Sequence, residues 1–223
     1  MSAGLGGFVA DLNSPAFTAW GEPVKWSDMV GNLLGLAALA FGWKRSMWTW
    51  PVQVLSGVVL VAAYASAQLS GGVGKQLIVI VVSVWGWFQW QRGRRGSGDI
   101  RVRFATWKER LLLAVGTAAG TCAVAGLFLA FPKLSWAPWP DAYIFVGTLA
   151  AMVAQARGWV EFWFAWLAVD LVGVPLAFTS GLPFSGLVYI VYFALVLLGL
   201  RAWWKRSRIP APTAEPALEG APA

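Results

Sequence analysis

The sequence predicts an all-α integral membrane protein with seven transmembrane helices, arranged as three, one and three, in which the two groups of three form parallel repeats. Three observations predict this fold. Of the 223 residues, 58% are hydrophobic and 12% are charged, which is about half the charged fraction of a soluble domain. Seven apolar segments are long enough to cross a bilayer, and the first three match the last three at a constant offset.

The spans follow from the need for about 20 mostly apolar residues to cross about 30 Å of hydrocarbon. Within a seven-helix domain at residues 25–208, the predicted spans are residues 27–43, 49–69, 74–91, 109–131, 139–156, 160–179 and 183–204. Residues 1–24 lack the basic start of a signal peptide and are expected to be an extracellular segment. Residues 209–223 are rich in Pro and Ala and are expected to be a disordered cytoplasmic tail.

The distribution of Lys and Arg predicts the orientation, because cytoplasmic loops collect positive charge. The side that holds the N-terminus carries three basic residues, Lys25, Lys75 and Lys133. The other side carries fourteen, which are Lys44, Arg45, Arg92, Arg94, Arg95, Arg101, Arg103, Lys108, Arg110, Arg157, Arg201, Lys205, Arg206 and Arg208. We therefore expect the N-terminus outside, the C-terminus in the cytoplasm and an odd number of crossings.

An internal repeat appears when the chain is aligned with itself at an offset of 113 residues. Repeat one spans residues 26–92, repeat two spans 139–205, and the helix at 109–131 links them. The matched pairs include Trp26 with Trp139, Asp28 with Asp141, Trp50 with Trp163, Gly86 with Gly199, and Trp90 with Trp203. Four crossings separate the copies, so both point the same way, and transporters built from such repeats bind substrate between them near the middle of the membrane.

The composition argues against several classes of function. The chain has no His and one Cys, Cys122, so we expect no metal site, no intrachain disulfide and no cofactor. An enzyme would need paired acids, an activated nucleophile or a metal, and the sequence offers none of these. The basic residues lie in short loops between spans, which indicates orientation and not nucleic-acid binding. The GGVGK sequence at 71–75 lacks the first Gly and the final Ser or Thr of a phosphate-binding loop, so transport down a gradient is expected.

Asp170 is the strongest candidate for a substrate-binding residue, because it is the one acidic residue deep in a predicted span. Trp163 and Trp166 lie on the same face of its helix. The corresponding residues of the first repeat include Trp50 and Gln53. Alternatively, the Trp residues belong to the interfacial belt and Asp170 bonds a neighbouring helix.

Four more polar residues within spans are candidates for binding a polar substrate, because unpaired polar groups in hydrocarbon are costly. They are Asn32, Gln76, Gln155 and Tyr189, and the offset matches Tyr189 with Gln76. Hydrogen bonding between helices is the alternative role for each.

Three sequence stretches resemble the PnuC family of vitamin facilitators. They are KQ followed after eight residues by WGWFQW at 75–90, WTWPVQ at 48–53, and AQARGWVEFWFAWLAVD at 154–170, and the resemblance covers residues 26–205. It implies the arrangement of three, one and three helices, a homotrimer with one pore per subunit in a bacterial cell membrane, and facilitated diffusion of a nucleoside-like vitamin. Carried over by position, Gln76, Trp163, Trp166 and Asp170 are expected to line the substrate site.

Two departures from the family pattern bear on the substrate. Trp85 stands where Tyr is common, and Phe162 stands where members that carry nicotinamide riboside often have Asn. Both changes add aromatic surface, which suits the larger ring of riboflavin. We therefore expect the riboflavin branch of the family, with nicotinamide riboside as the second candidate and a vitamin sensor without transport as a distant one.

Overall fold

The computed structural model describes residues 7, 11–19, 21–66, 70–97, 100–135, 137–179 and 183–208. Seven long α-helices follow one another in this part of the chain, which confirms the prediction of seven helices. Their bounds are α1 Trp26–Trp43, α2 Thr49–Ser66, α3 Ser70–Ser97, α4 Trp107–Ala130, α5 Pro138–Ala156, α6 Glu161–Thr179 and α7 Pro183–Ser207. The predicted tail at 209–223 lies outside the described residues, as does part of the predicted N-terminal segment.

A β-hairpin precedes the first helix, where the sequence predicted only an extracellular segment without assigned structure. Strand β1, Pro15–Ala19, pairs antiparallel with β2, Glu22–Lys25. The connection contains Gly21 at φ 86°, a backbone conformation that favours glycine. Ser27 Oγ donates to Asn13 Oδ1 at 2.9 Å and so ties the segment before the hairpin to the start of α1.

Helix α3 is longer than its predicted span, which ended at residue 91. It continues to Ser97, with Arg94 and Arg95 in its last turn. Positive side chains near a helix C-terminus interact favourably with the helix dipole, so the helix persists beyond the apolar part of the sequence. A hydropathy pattern locates the apolar part of a helix and does not fix where the helix ends.

The helices pack as two groups of three. Helix α2 contacts α1 and α3, and α6 contacts α5 and α7. The groups meet through α3 against α5 and α1 against α7, while α4 packs on α5. The space between α1, α2 and α3 on one side and α5, α6 and α7 on the other contains the cavity described below.

The turns from α1 to α2 and from α5 to α6 have the same backbone geometry. Arg45 and Gly158 occupy corresponding positions with φ values of 55° and 69°. A Cβ on Gly158 would lie 2.4 Å from the carbonyl oxygen of Arg101, so this turn requires glycine. The backbone hydrogen bonds of the two turns also correspond. In the first turn, the N–H groups of Lys44 and Ser46 donate to the carbonyls of Ala40 and Phe41. In the second, the N–H groups of Arg157 and Trp159 donate to the carbonyls of Val153 and Ala154.

Residues 100–106, between α3 and α4, are anchored to the second of these turns. The N–H of Arg103 donates to the Gly158 carbonyl at 3.0 Å, and the N–H of Val160 donates to the Arg103 carbonyl at 3.0 Å. The Glu161 carboxylate then accepts hydrogen bonds from the Ala105 N–H at 2.9 Å and from Arg110 Nε at 2.7 Å. This connection therefore holds the start of α4 against the start of α6.

Helix α4 begins with a capping box in which Thr106 and Glu109 bond each other's backbone N–H groups. Arg103 binds both carboxylate oxygens of Glu109 at 2.7 Å, and these bonds raise the pKa of its guanidinium above the ordinary value. By length and apolar composition alone, α4 is the one helix within the described ranges that qualifies as a membrane span. Most of its apolar side chains are exposed, which is stable when they face lipid.

Candidate substrate cavity

A cavity of about 400 Å³ lies between the two groups of helices. Its volume is within the range of about 300 to 1,000 Å³ that is usual for small-molecule sites. Two charged residues, Lys75 and Asp170, are among its described lining residues, together with apolar side chains. Its other polar lining residues are Asn32, Thr49, Gln53, Ser56, Gln76, Thr148, Gln155 and Tyr192.

Six of the nine residues predicted for the substrate site line this cavity, namely Asn32, Gln53, Gln76, Gln155, Trp166 and Asp170. Trp50 and Trp163 are not lining residues, because each ring is buried against a glycine of the next helix. The side chain of Tyr189 lies outside the described residues, although its backbone is part of α7.

Asp170 and Trp166 present unpaired polar atoms at the cavity wall. The Asp170 side chain is 1% exposed, and among the described residues neither carboxylate oxygen has a hydrogen-bond partner. The Trp166 Nε1–H also lacks a partner there. The two residues are four positions apart on α6, so their side chains lie on the same face of the helix. This face offers an acceptor and a donor that a ligand can satisfy.

Other cavity residues bond across helices. Thr49 Oγ1 donates to the Ala38 carbonyl at 2.7 Å, and Gln155 Nε2 donates to Thr49 Oγ1 at 3.2 Å. Tyr192 Oη donates to the Asn32 carbonyl at 3.2 Å, which joins α7 to α1. For Gln155, the hydrogen bond between helices that the sequence left open as an alternative is therefore present.

A layer of packed aromatic rings lies at the end of the helices that carries most basic residues. The rings of Trp50 and Trp90 meet edge to face with centroids 5.3 Å apart, and those of Trp163 and Trp203 meet in the same way at 5.7 Å. All four side chains are at most 2% exposed. Two indole N–H groups also link the groups of helices, since Trp90 donates to the Gln155 carbonyl at 3.0 Å and Trp203 donates to the Trp43 carbonyl at 3.1 Å.

The sequence profile of the nicotinamide mononucleotide transporter family matches residues 25–205, which is most of the chain. The chain belongs to this family.

Individual members of the family extend the comparison. The chain is 59% identical over 214 residues to the riboflavin/roseoflavin transporter RibM of Streptomyces davaonensis, covering 95% of this chain and 99% of that protein. It is 20% identical over 214 residues to the nicotinamide riboside transporter PnuC of Escherichia coli, covering 85% and 90%. Its fold matches the crystal structure of the vitamin B3 transporter PnuC with a TM-score of 0.66, at 19% identity and over 82% of each chain.

Membership in this transporter family confirms the resemblance inferred from the sequence and makes the chain a multi-pass membrane protein. The relatives are transporters and not enzymes, as the sequence predicted. Within the described ranges, no group of three or more His, Cys, Asp and Glu side chains is placed to hold a metal ion.

Several polar cavity residues of this family member were not among the predicted site residues. Tyr192 lies three residues beyond the predicted Tyr189, which is one helical turn along the same face, so that spacing was an available signal. Thr49 and Ser56 lie seven residues apart on α2, a spacing that also marks one face. Lys75 precedes the predicted Gln76 and was counted as an orientation signal and as part of the KQ motif, but not as a site residue.

Proposed function

We propose that this protein carries riboflavin across the membrane by facilitated diffusion. The single observation that carries the proposal is the 59% identity to a riboflavin/roseoflavin transporter over nearly the full length of both chains. The 20% identity to a nicotinamide riboside transporter supports the same family at a greater distance, so nicotinamide riboside is the weaker candidate.

The chemistry of the cavity supports a flat, polar-edged ring as the substrate. The ring system of riboflavin carries an imide N–H between two carbonyl groups. We propose that the Asp170 carboxylate accepts from this N–H and that the Trp166 indole N–H donates to a carbonyl, which satisfies the unpaired atoms of both side chains.

The remaining polar groups suit the hydroxylated chain of the vitamin. Asn32, Gln53, Gln76 and Gln155 supply amide donors and acceptors around the same cavity. We include Tyr192 in the site because its hydroxyl reaches the α1 wall, and we retain Tyr189 as a predicted contact. Trp50 and Trp163 act in this scheme as buried packing residues beside the site and not as contacts of the bound ring.

We propose that helices α1 to α3 and α5 to α7 are two parallel repeats, connected by α4, that rock against each other to expose the cavity to either side. Matched turns at Arg45 and Gly158 support the duplication, as do the matched rings of Trp50 and Trp163 on Gly86 and Gly199. The cavity lies between the two groups, where rocking would alternate its access.

The orientation and the assembly are further parts of the proposal. Fourteen basic residues on one side against three on the other support a cytoplasmic C-terminus in a bacterial plasma or inner membrane. A homotrimer with one pore per subunit is proposed from the resemblance to the family. Because no nucleotide-binding motif drives the cycle, net uptake would follow the riboflavin gradient.

Uptake of labelled riboflavin by proteoliposomes containing the full chain tests this proposal. We expect saturable uptake that unlabelled riboflavin suppresses and that nicotinamide riboside and thiamine do not. Uptake should be unchanged when the proton gradient is dissipated. Binding without uptake would indicate a sensor, competition by nicotinamide riboside alone would change the substrate, and loss of uptake with the proton gradient would contradict facilitated diffusion.

A further inference from the structure

A groove lies on the surface of the first group of helices, at the end that carries most basic residues. It has a volume of about 540 Å³ and is formed by the start of α2 and the last turns of α3. Its apolar and aromatic wall includes Met47, Trp48, Pro51 and Trp87, and its far end holds Arg94 and Arg95. Trp48 is 64% exposed, so a large apolar ring is uncovered here.

At the matching position in the second group of helices, the chain itself supplies an aromatic contact and an ion pair. Phe104 packs edge to face on Trp204 with ring centroids 5.3 Å apart, and Trp204 corresponds to Gln91 of the groove. Arg110 binds Glu161 at 2.7 Å, and Glu161 corresponds to Trp48. In the second group of helices, the Phe104 ring and the Arg110–Glu161 ion pair therefore cover this place. Among the described residues, the first group has no such cover.

The charged residues of the open groove indicate which kind of ligand can bind there. Where the covered site has the acidic Glu161, the groove has the neutral Trp48. Among the described residues, Arg94 and Arg95 have no carboxylate partner within ion-pair distance, and both are exposed. A ligand with negative charge at one end and apolar surface along its length would complement this groove.

We propose that the groove binds one anionic phospholipid, whose phosphate contacts Arg94 and Arg95 and whose acyl chain lies along Met47, Pro51 and Trp87. Guanidinium groups bind phosphate oxygens through paired hydrogen bonds. Basic pockets between helices at the headgroup level are recognised sites for anionic lipids, and exposed Trp rings favour the same level. This inference requires a membrane-embedded chain and does not depend on which vitamin is carried.

Native mass spectrometry of the delipidated full chain tests the proposal. Phosphatidylglycerol and phosphatidylcholine with the same acyl chains are titrated separately, and inorganic phosphate is titrated as the control for a free anion. We expect a first bound lipid for phosphatidylglycerol only, with an apparent affinity that falls about tenfold in the double variant R94Q/R95Q. The charge-preserving double variant R94K/R95K should retain binding.

The matched control removes two other exposed basic residues at the same end of the molecule, as R92Q/R201Q, and should bind phosphatidylglycerol as the unaltered chain does. Equal losses in both glutamine double variants would overturn the proposal, because binding would then follow net charge alone. Unchanged lipid binding in R94Q/R95Q would also overturn it. Dissociation of an oligomer in R94Q/R95Q, with lipid binding intact, would assign the groove to a second copy of the chain.

Discussion

The first three helices and the last three make matching packing contacts. In each group a Trp of the second helix packs on a Gly of the third, as Trp50 on Gly86 and Trp163 on Gly199. In each group a further Trp of the third helix donates its indole N–H to a backbone carbonyl of the opposite group. These shared contacts are concentrated at the basic end of the helices.

The two groups differ where they face the cavity. Asp170 corresponds to Gly57, and Trp166 corresponds to Gln53. Gly57 has no room for a side chain, because a Cβ there would lie 2.7 Å from Ile80 Cγ1. The difference teaches that the two groups share packing contacts, while the unpaired acceptor and donor at the cavity wall, Asp170 and Trp166, both lie on α6.

We expect the largest effect on uptake from a substitution of Asp170, the position where the two groups of helices differ most in polarity. Replacing Asp170 by Ala removes an acceptor that has no partner among the described residues, so the ligand should lose a hydrogen bond to a charged group of about 1.5 to 3 kcal/mol. This loss corresponds to an increase of about tenfold to a hundredfold in the riboflavin concentration for half-maximal uptake. The measurement is proteoliposome uptake, normalised to the amount of reconstituted protein.

Thr121→Val is the matched control for Asp170→Ala. Thr121 Oγ1 is also buried and unpartnered among the described residues, but Thr121 does not line the substrate cavity. Uptake by this variant should be unchanged. If both variants lose uptake equally, Asp170 acts on folding and not on the substrate.

Substitution of the glycines beneath the Trp rings should affect both groups in the same way. A Cβ on Gly199 would lie 2.1 Å from Trp163 Cη2, and one on Gly86 would lie 2.4 Å from the same atom of Trp50. Overpacking of this kind costs about 1 to 3 kcal/mol, so Gly199→Ala and Gly86→Ala should each lower the melting temperature in detergent. Gly116→Ala, where the added Cβ meets nothing within 4 Å, should not lower it.

The indole N–H hydrogen bonds between the two groups of helices allow a comparison of smaller effects on stability. Trp90→Phe and Trp203→Phe each remove one indole N–H that donates to a backbone carbonyl, together with some packing. Such a hydrogen bond stabilises the fold by about 0.5 to 1.5 kcal/mol. We expect similar decreases in thermal stability for both variants. A decrease in only one of them would contradict the equivalence of the two Trp residues.

The smallest expected effect comes from a contact that only the second group has. Glu161→Gln removes the charge that Arg110 binds, and the Gln oxygen remains able to accept from the Ala105 N–H. The Arg110 side chain is 42% exposed, so screening limits the loss to about 0.2 to 1 kcal/mol. The difference in melting temperature from the unaltered chain should shrink further at high salt. An undiminished difference at high salt would mean that packing and not charge anchors the connection between α3 and α4.

The sequence predicted the helices better than the cavity. Hydrophobic segments located all seven helices, but they did not locate the hairpin before α1 or the end of α3 at Ser97. Polar residues within apolar spans identified six residues that line the cavity, because hydrocarbon penalises such groups wherever they lie. Trp163 and Trp166 lie on one helix, and the same reasoning did not show that Trp166 lines the cavity whereas Trp163 does not.

The sequence by itself determined that the chain has seven helices, a repeated spacing of Trp and Gly, and a basic end, because these depend on composition and periodicity along the chain. Only the tertiary structure decided that Trp163 rests on Gly199 while Trp166 faces the cavity, and that Phe104 covers one groove while its counterpart stays open. Those outcomes depend on which helices meet. Residues that meet in this way lie far apart in the chain, so local pattern does not encode their contacts.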